Sequence, residues 1–410
     1  MLATAFPYPP THGGALRVWH VFRQVARHHR VTFLAMCAPG AEPKPEHVAV
    51  MREFAEDVIL IPRPVALPWR LRNAARSFLG GKPYTIANYD YPAFHDALRR
   101  ALACGQFDLV HAHCLHTAQY YPDFGCAARY FDCQNINVFL WQRYAEAQGM
   151  HLFRRFFALH QARLLERMEP MVHRQYDVTT FCSDLERDHA RRSAPEAALR
   201  TSPNGVDCEF FAPIEVTEEP FTMVYSASMD AVQNSDSAVY FVRIILPLIR
   251  RRYPRSKLYL VGRQPPPSVQ SLASDHVTVT GFVDDVRPYI ARAAVYIVPT
   301  RIGGGTRLKI LEAMSMGKAI VSTRVGAEGI DCTNGEDIVL ADTPETFADA
   351  AGRLFDSPED RRKLGEAGRR RALGQYDWSA TGERILKYYE EAAANARERI
   401  RSEGDHAGTG

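Results

Sequence analysis

The 410-residue chain has no stretch approaching the ~18 consecutive apolar residues of a membrane-spanning helix. Its opening, Met1–Pro10, lacks both a basic and an apolar block, so no secretory signal is read there. Its 8 cysteines include no C-x-x-C pair, which disfavours a zinc site and suits reduced thiols in a cytoplasmic protein. Net charge is scarce too: 50 Lys+Arg against 47 Asp+Glu leaves +3, too little to imply a nucleic-acid partner. There is no solenoid-length repeat and no Asp-x-Asp. What is present is an ordinary globular composition, 46% hydrophobic and 24% charged, long enough for two or three domains of roughly 100–200 residues. Residues 1–200 hold 24 Lys+Arg, 18 Asp+Glu and 13 of the 15 histidines. The first half alone is therefore inclined toward anionic partners.

Short apolar runs alternate with helical patterns. Strands are expected at 30–36, 58–61, 107–112, 129–133 and 177–182, then at 222–227, 257–261, 277–281, 295–299, 319–323 and 338–341. Most are continuous Val/Ile/Leu/Tyr runs, as in parallel strands covered by helices on both faces. Ser183-Asp184-Leu185-Glu186 reads as a capping box, and Thr343-Pro344 as an N-cap followed by proline at the first helical position. The alternation restarts after the turn-rich stretch Pro203–Asp207. The expected organisation is one α/β domain over 1–207 and a second over 208–375. A C-terminal helix over 376–397 then packs back toward the first, and a tail over 398–410 frays.

The segment from Val295 to Gly329 is the most informative. A buried strand empties into Thr300-Arg301-Ile302-Gly303-Gly304-Gly305, and a helix is expected from about Thr306 to Met316, stopped by Gly317. Consecutive glycines expose backbone N–H groups, and a helix N-terminus adds partial positive charge, so an anion such as phosphate suits this loop. At 100° per residue Lys309 and Glu312 share one side of a mostly apolar helix, with Arg307 nearly opposite. A phosphate for Lys309 and sugar hydroxyls for Glu312 would satisfy them; a Lys309–Glu312 ion pair that only steadies the helix is the alternative. Two other motifs fail. Gly317-Lys318 lacks the first glycine and the Ser/Thr of a P-loop, and Gly303-Gly304-Gly305 lacks the GxGxxG spacing. Upstream, His111 and His113 end a buried strand on the side where ligands bind in such folds, which makes His113 a candidate for catalysis.

Residues 303–323, Gly-Gly-Gly-Thr-Arg-Leu-Lys-Ile-Leu-Glu-Ala-Met-Ser-Met-Gly-Lys-Ala-Ile-Val-Ser-Thr, resemble the donor-site signature of retaining glycosyltransferases of family 4. Gly326–Ile330, Pro7–Gly14, Phe107–His113, Ser202–Asp207, Leu260–Arg263 and Thr280–Tyr289 add to that likeness in the correct order. The branch it resembles most is that of bacterial exopolysaccharide-associated sugar transferases. The resemblance implies a GT-B fold: two Rossmann-like α/β domains with parallel sheets facing across a cleft, the second binding a nucleotide diphosphate sugar and the first an acceptor. It implies that Glu312 bonds the donor ribose and that Lys309, with Gly303, Gly304, Gly305 and Thr306 and the adjoining Arg307 and Leu308, holds the diphosphate. Phe282, Val283 and Asp284 would border the base, while Gly13 and Gly14 would let the first domain approach the phosphates. No obligatory cofactor or metal is implied.

This chain departs from that pattern in three places. Gly304 stands where the family often has a second glutamate. The stretch Ser226–Asn234 lacks the family's basic pair, leaving Lys309, Arg307, Arg263 and Arg301 to compensate the diphosphate charge. A family histidine is replaced within Asp132–Asn135. The expected function is transfer of a sugar from a nucleotide diphosphate sugar to a glycan or lipid-linked acceptor by positioning and electrostatics. A GT-B nucleotide-sugar epimerase would need acid/base residues not found here, and a non-catalytic nucleotide-sugar sensor would explain the two missing charges. Finally, Trp69–Leu79 wound as a helix puts Leu71, Ala74, Ala75, Phe78 and Leu79 on one side and Arg70, Arg72, Asn73, Arg76 and Ser77 mostly opposite, and Leu152–Phe157 repeats the basic-aromatic mixture. Either these apolar faces pack on the first domain, or they make a weak contact with the anionic inner face of the cytoplasmic membrane.

Overall fold

The computed structural model describes residues 1–105, 107–146, 152–302 and 307–407. The chain divides into two units, 1–203 with 382–410, and 204–381. In the first unit the strands are β1 Leu2–Ala3, β2 Thr32–Cys37, β3 Asp57–Pro62, β4 Leu109–His113, β5 Ala128–Cys133, β6 Val178–Phe181 and β7 Leu199–Thr201. They form one parallel sheet in the order β3-β2-β1-β4-β5-β6-β7, with the strand order reversing between β1 and β4. β1 and β7 were not expected, being too short to register as apolar runs. Their neighbours hold them: Leu2 pairs with both Leu34 and Ala112, and Leu199 with Thr179.

In the second unit β8 Glu219–Ser226, β9 Lys257–Val261, β10 Val277–Gly281, β11 Ala293–Val298, β12 Ile320–Ser322 and β13 Val339–Leu340 form a parallel sheet ordered β10-β9-β8-β11-β12-β13. Every residue of β11 is buried, as its unbroken Ala/Val/Tyr/Ile run requires for a strand covered on both faces. The strand order reverses between β8 and β11, the kind of switch point where open α/β sheets bind ligands beyond the strands' C-terminal ends.

Helix ends follow local chemistry. The Ser183 hydroxyl accepts from the Glu186 N–H, and Thr343 and Thr346 cap each other reciprocally. The helix Leu308–Ser315 starts two residues later than expected. It ends in a Schellman motif: the Gly317 N–H reaches the Met314 carbonyl and the Lys318 N–H the Ala313 carbonyl, with Gly317 at φ 67°.

Two expectations are corrected. The tail does not fray at 398; one helix runs over Trp378–Ala407, and from Gly382 it belongs to the first unit. There Tyr389 bonds His111, Glu391 pairs with Arg200, and Asn395 and Arg399 reach Asp177. The helix Leu67–Gly80 docks by the side opposite to its apolar one: Asn73 and Ser77 are 0% exposed, whereas Leu71, Phe78 and the 90%-exposed Leu79 are open. The reason is polar pairing. Asn73 bonds Asn88, and Gln161 donates to Ser77 while accepting from the Tyr84 N–H. Leu152, Phe153 and Phe156 on the neighbouring helix are exposed as well, and the Phe78 ring stacks on His160 at 5.0 Å.

Candidate functional site

The second unit gathers its chemistry at the C-terminal edge of the sheet. β8 ends in Tyr225 and Ser226, and the loop beyond is tied to the end of β9 by Ala227 N–H to Val261 O (2.9 Å) and Met229 N–H to Arg263 O (3.0 Å). Gly262 lies at φ +151°, and a Cβ there would fall 1.6 Å from the Ala227 carbonyl oxygen, so only glycine lets the two loops approach this closely. β10 leads to Phe282, whose ring is 71% exposed beside the half-buried Val283 and exposed Asp284. β11 leads to the buried Thr300 and then Arg301.

The helix Leu308–Ser315 brings Lys309 and Glu312 to this edge, and the two form no salt bridge, so the helix-steadying alternative is discarded. Lys309 Nζ bonds Tyr225 Oη at 3.1 Å and Asn234 Oδ1 at 2.9 Å and lies 4.5 Å from the Tyr225 ring centroid. Among the described residues no hydrogen-bond donor reaches the Glu312 carboxylate. Burial pushes the Glu312 carboxyl up to about 7, against the pull of the Lys309 ammonium. Burial also pushes up the Tyr296 hydroxyl, with the Glu312 charge adding to it, and that hydroxyl shares a 2.6 Å bond with Ser226 Oγ. A half-buried carboxylate without donors suits the two hydroxyls of a ribose.

The remaining expected residues are placed as follows. Gly303, Gly304, Gly305 and Thr306 lie outside the described residues. Arg307 is the N-cap of the helix and Leu308 packs against the core. Arg301 is paired with Asp236 and lies over the Tyr240 ring. Arg263 donates to Ser228 Oγ, which donates in turn to Asp230. Asn234, Tyr225 and Tyr296 carry no motif signal; only the strand order brings them to Lys309 and Glu312.

In the first unit Gly13 and Gly14 begin the helix Gly13–Ala26, capped by His12 Nδ1 accepting from the Ala15 N–H. His113 is 1% exposed and lies in β4, 3.2 Å from Asp132, with its ring 4.0 Å from that of His111. It is therefore packed inside the first unit, beside Asp132 and His111. Asp132 also takes two hydrogen bonds from Arg17, and Arg17 reaches on to the Ser202 and Pro203 carbonyls. Burial would raise the Asp132 carboxyl, but the Arg17 charge and the His113 hydrogen bond outweigh it and hold it well below the usual carboxylate range. Burial lowers both histidines, His111 well below the ordinary range. The three side chains have ligand atoms within 4.8 Å of one another, yet Arg17 occupies both Asp132 oxygens, which opposes a cation there.

Residues 220–357 match the family model described as "Glycosyl transferases group 1". The chain is 29% identical over 239 residues to a GDP-mannose-dependent alpha-(1-6)-phosphatidylinositol monomannoside mannosyltransferase of Mycolicibacterium smegmatis, covering 52% of this chain and 61% of that one. It is 32% identical over 226 residues to the MMP alpha-(1->4)-mannosyltransferase of Mycolicibacterium hassiacum, covering 52% of each. The chain thus spans between half and two thirds of the length of these curated relatives. Among solved structures, sucrose-phosphate synthase from Thermosynechococcus elongatus superposes with a TM-score of 0.67 at 17% identity, over 96% of this chain and 98% of that one. An Anabaena protein crystallised with UDP and glucose gives 0.62 at 11%, over 95% and 98%. The second unit is therefore similar to the glycosyl transferases group 1 model over residues 220–357, within a chain of two Rossmann-like parallel-sheet units of the GT-B fold.

Proposed function

We propose that this protein is a retaining glycosyltransferase. It moves a hexose from a nucleoside diphosphate sugar on the second unit to a glycan or lipid-linked acceptor on the first, in bacterial exopolysaccharide or cell-surface glycan synthesis. The observation that carries the reading is the pair on the helix Leu308–Ser315: a carboxylate that no described donor reaches and an ammonium held by neutral groups. They match the two needs of such a donor, hydroxyl recognition and stabilisation of the charge that develops on the leaving diphosphate. The mannosyltransferase activity named for the curated relatives supports a hexose donor and a lipid acceptor. No general base is required of the protein, because in this reading the leaving diphosphate takes the acceptor proton.

The open apolar faces of the helices Leu67–Gly80 and Leu152–Arg174, together with the exposed Arg70, Arg72, Arg76, Arg154 and Arg155 on the same helices, support peripheral contact with an anionic membrane surface where a lipid-linked acceptor would be met. The function is tested by a thermal-shift screen against UDP, GDP, ADP and their sugars, GDP-mannose and UDP-glucose included, followed by incubation with lipid-linked acceptors. New glycan product is expected. Interconversion of donors without acceptor would replace the reading with an isomerase, and binding without turnover with a sensor.

A further inference from the structure

The sheet edge carries several cations, and their partners separate them. Arg301 is neutralised by Asp236, and Arg287 by Asp285. Arg263 reaches Asp230 through Ser228. Lys309 differs: its ammonium is half-buried and bonded only to neutral oxygens, Tyr225 Oη and Asn234 Oδ1, among the described residues. The Asn234 amide cannot turn over freely, because its Nδ2 donates to the Ser228 carbonyl at 2.8 Å while its Oδ1 also accepts from Tyr225 at 3.2 Å. Tyr225 itself is fully buried in β8.

A half-buried cation held by oriented dipoles, with no carboxylate bonded to it among the described residues, keeps more of its attraction for an incoming anion than one in a salt bridge. We infer that Asn234 and Tyr225 are positioning residues that hold Lys309 as the principal uncompensated charge for the donor's diphosphate, in place of a basic pair on the loop after β8. The inference rests on the donor reading above. It assigns the diphosphate selectivity of that site to two neutral side chains in β8 and in the helix Val232–Tyr240.

The test is calorimetric titration of the full chain with whichever of UDP, GDP and ADP it binds, and with the matching monophosphate and nucleoside. Asn234→Asp should place a carboxylate against Lys309 and cut diphosphate affinity about tenfold or more, with nucleoside affinity nearly unchanged. Lys309→Ala should lose the same discrimination, and Tyr225→Phe part of it. Because the readout is a ratio of affinities within one variant, a general loss of folded protein does not move it. If the parent binds a nucleoside diphosphate and Asn234→Asp keeps the parent's diphosphate-to-nucleoside ratio, the inference is overturned while the donor reading stands. If the parent binds none of the three diphosphates, the donor reading falls and the inference with it.

Discussion

Glu312 couples ligand recognition to stability. Its carboxyl titrates near 7 in the folded chain against an ordinary 4.5. Between those values the folded state holds the proton more tightly than the unfolded one. Stability therefore falls as pH rises through that window, by roughly 1.4 kcal/mol for each pH unit crossed. Glu312→Gln removes this cost. Its Tm should therefore gain on the parent's between about pH 5 and pH 8, while its donor affinity drops ten- to a hundredfold, as loss of charged hydrogen bonds of ~1.5–3 kcal/mol implies. Equal donor affinity in the variant would remove Glu312 from the site. The buried pair Arg17–Asp132 has the opposite linkage. Its carboxyl is depressed, so its contribution is present at neutral pH and is lost on acidification below the usual carboxylate range. Arg17→Met strands a buried carboxylate and should destabilise by about 3–5 kcal/mol in urea titration. Sequence placed Lys309 and Glu312 on one helical face because an i,i+3 spacing is local. It could not show Tyr225 or Asn234 beside Lys309, since their approach depends on the order of strands in the sheet.

At the scale of elements, periodicity identified the helix Leu67–Gly80 but not the side it buries. Apolar residues at helical spacing ordinarily mark the packed face. Here Asn73 bonds Asn88 and Ser77 bonds Gln161 inside, and the leucines are left outside. A sequence window around residue 73 cannot include its partners at 88 and 161. The prediction belongs to the exposed face. Each arginine near an anionic bilayer contributes ~1 kcal/mol, so the parent should co-sediment with anionic liposomes at low salt and release at high salt. The Arg70/Arg72/Arg76→Glu variant should stay in the supernatant under both conditions. Equal sedimentation of parent and variant would clear this surface of a membrane role.

At the scale of the whole molecule, the second unit is a contiguous insertion, while the first is built from both ends of the chain. The β-α alternation made two α/β domains legible, and two parallel sheets are what the chain forms. The depth to which the last helix joins the first unit was not legible, because its partners His111, Asp177 and Arg200 lie far upstream. A fragment over 204–381 should show a cooperative unfolding transition alone. A fragment over 1–203 should not, until a peptide over 382–410 is supplied. Independent cooperative unfolding of 1–203 would mean that the last helix only decorates the first unit.

The same insertion sets the timetable of synthesis. A ribosome completes β1 to β7 early, but the helix that covers His111, bonds Asp177 and pairs with Arg200 emerges only after the whole second unit has been translated. At roughly 5–20 residues per second, that is a delay on the order of ten to forty seconds. Through that interval the nascent first unit lacks one wall and the second is already able to close. The chain should therefore depend on chaperones at its beginning, not at its end, and slowing translation after residue 203 should raise the yield of aggregated nascent chain.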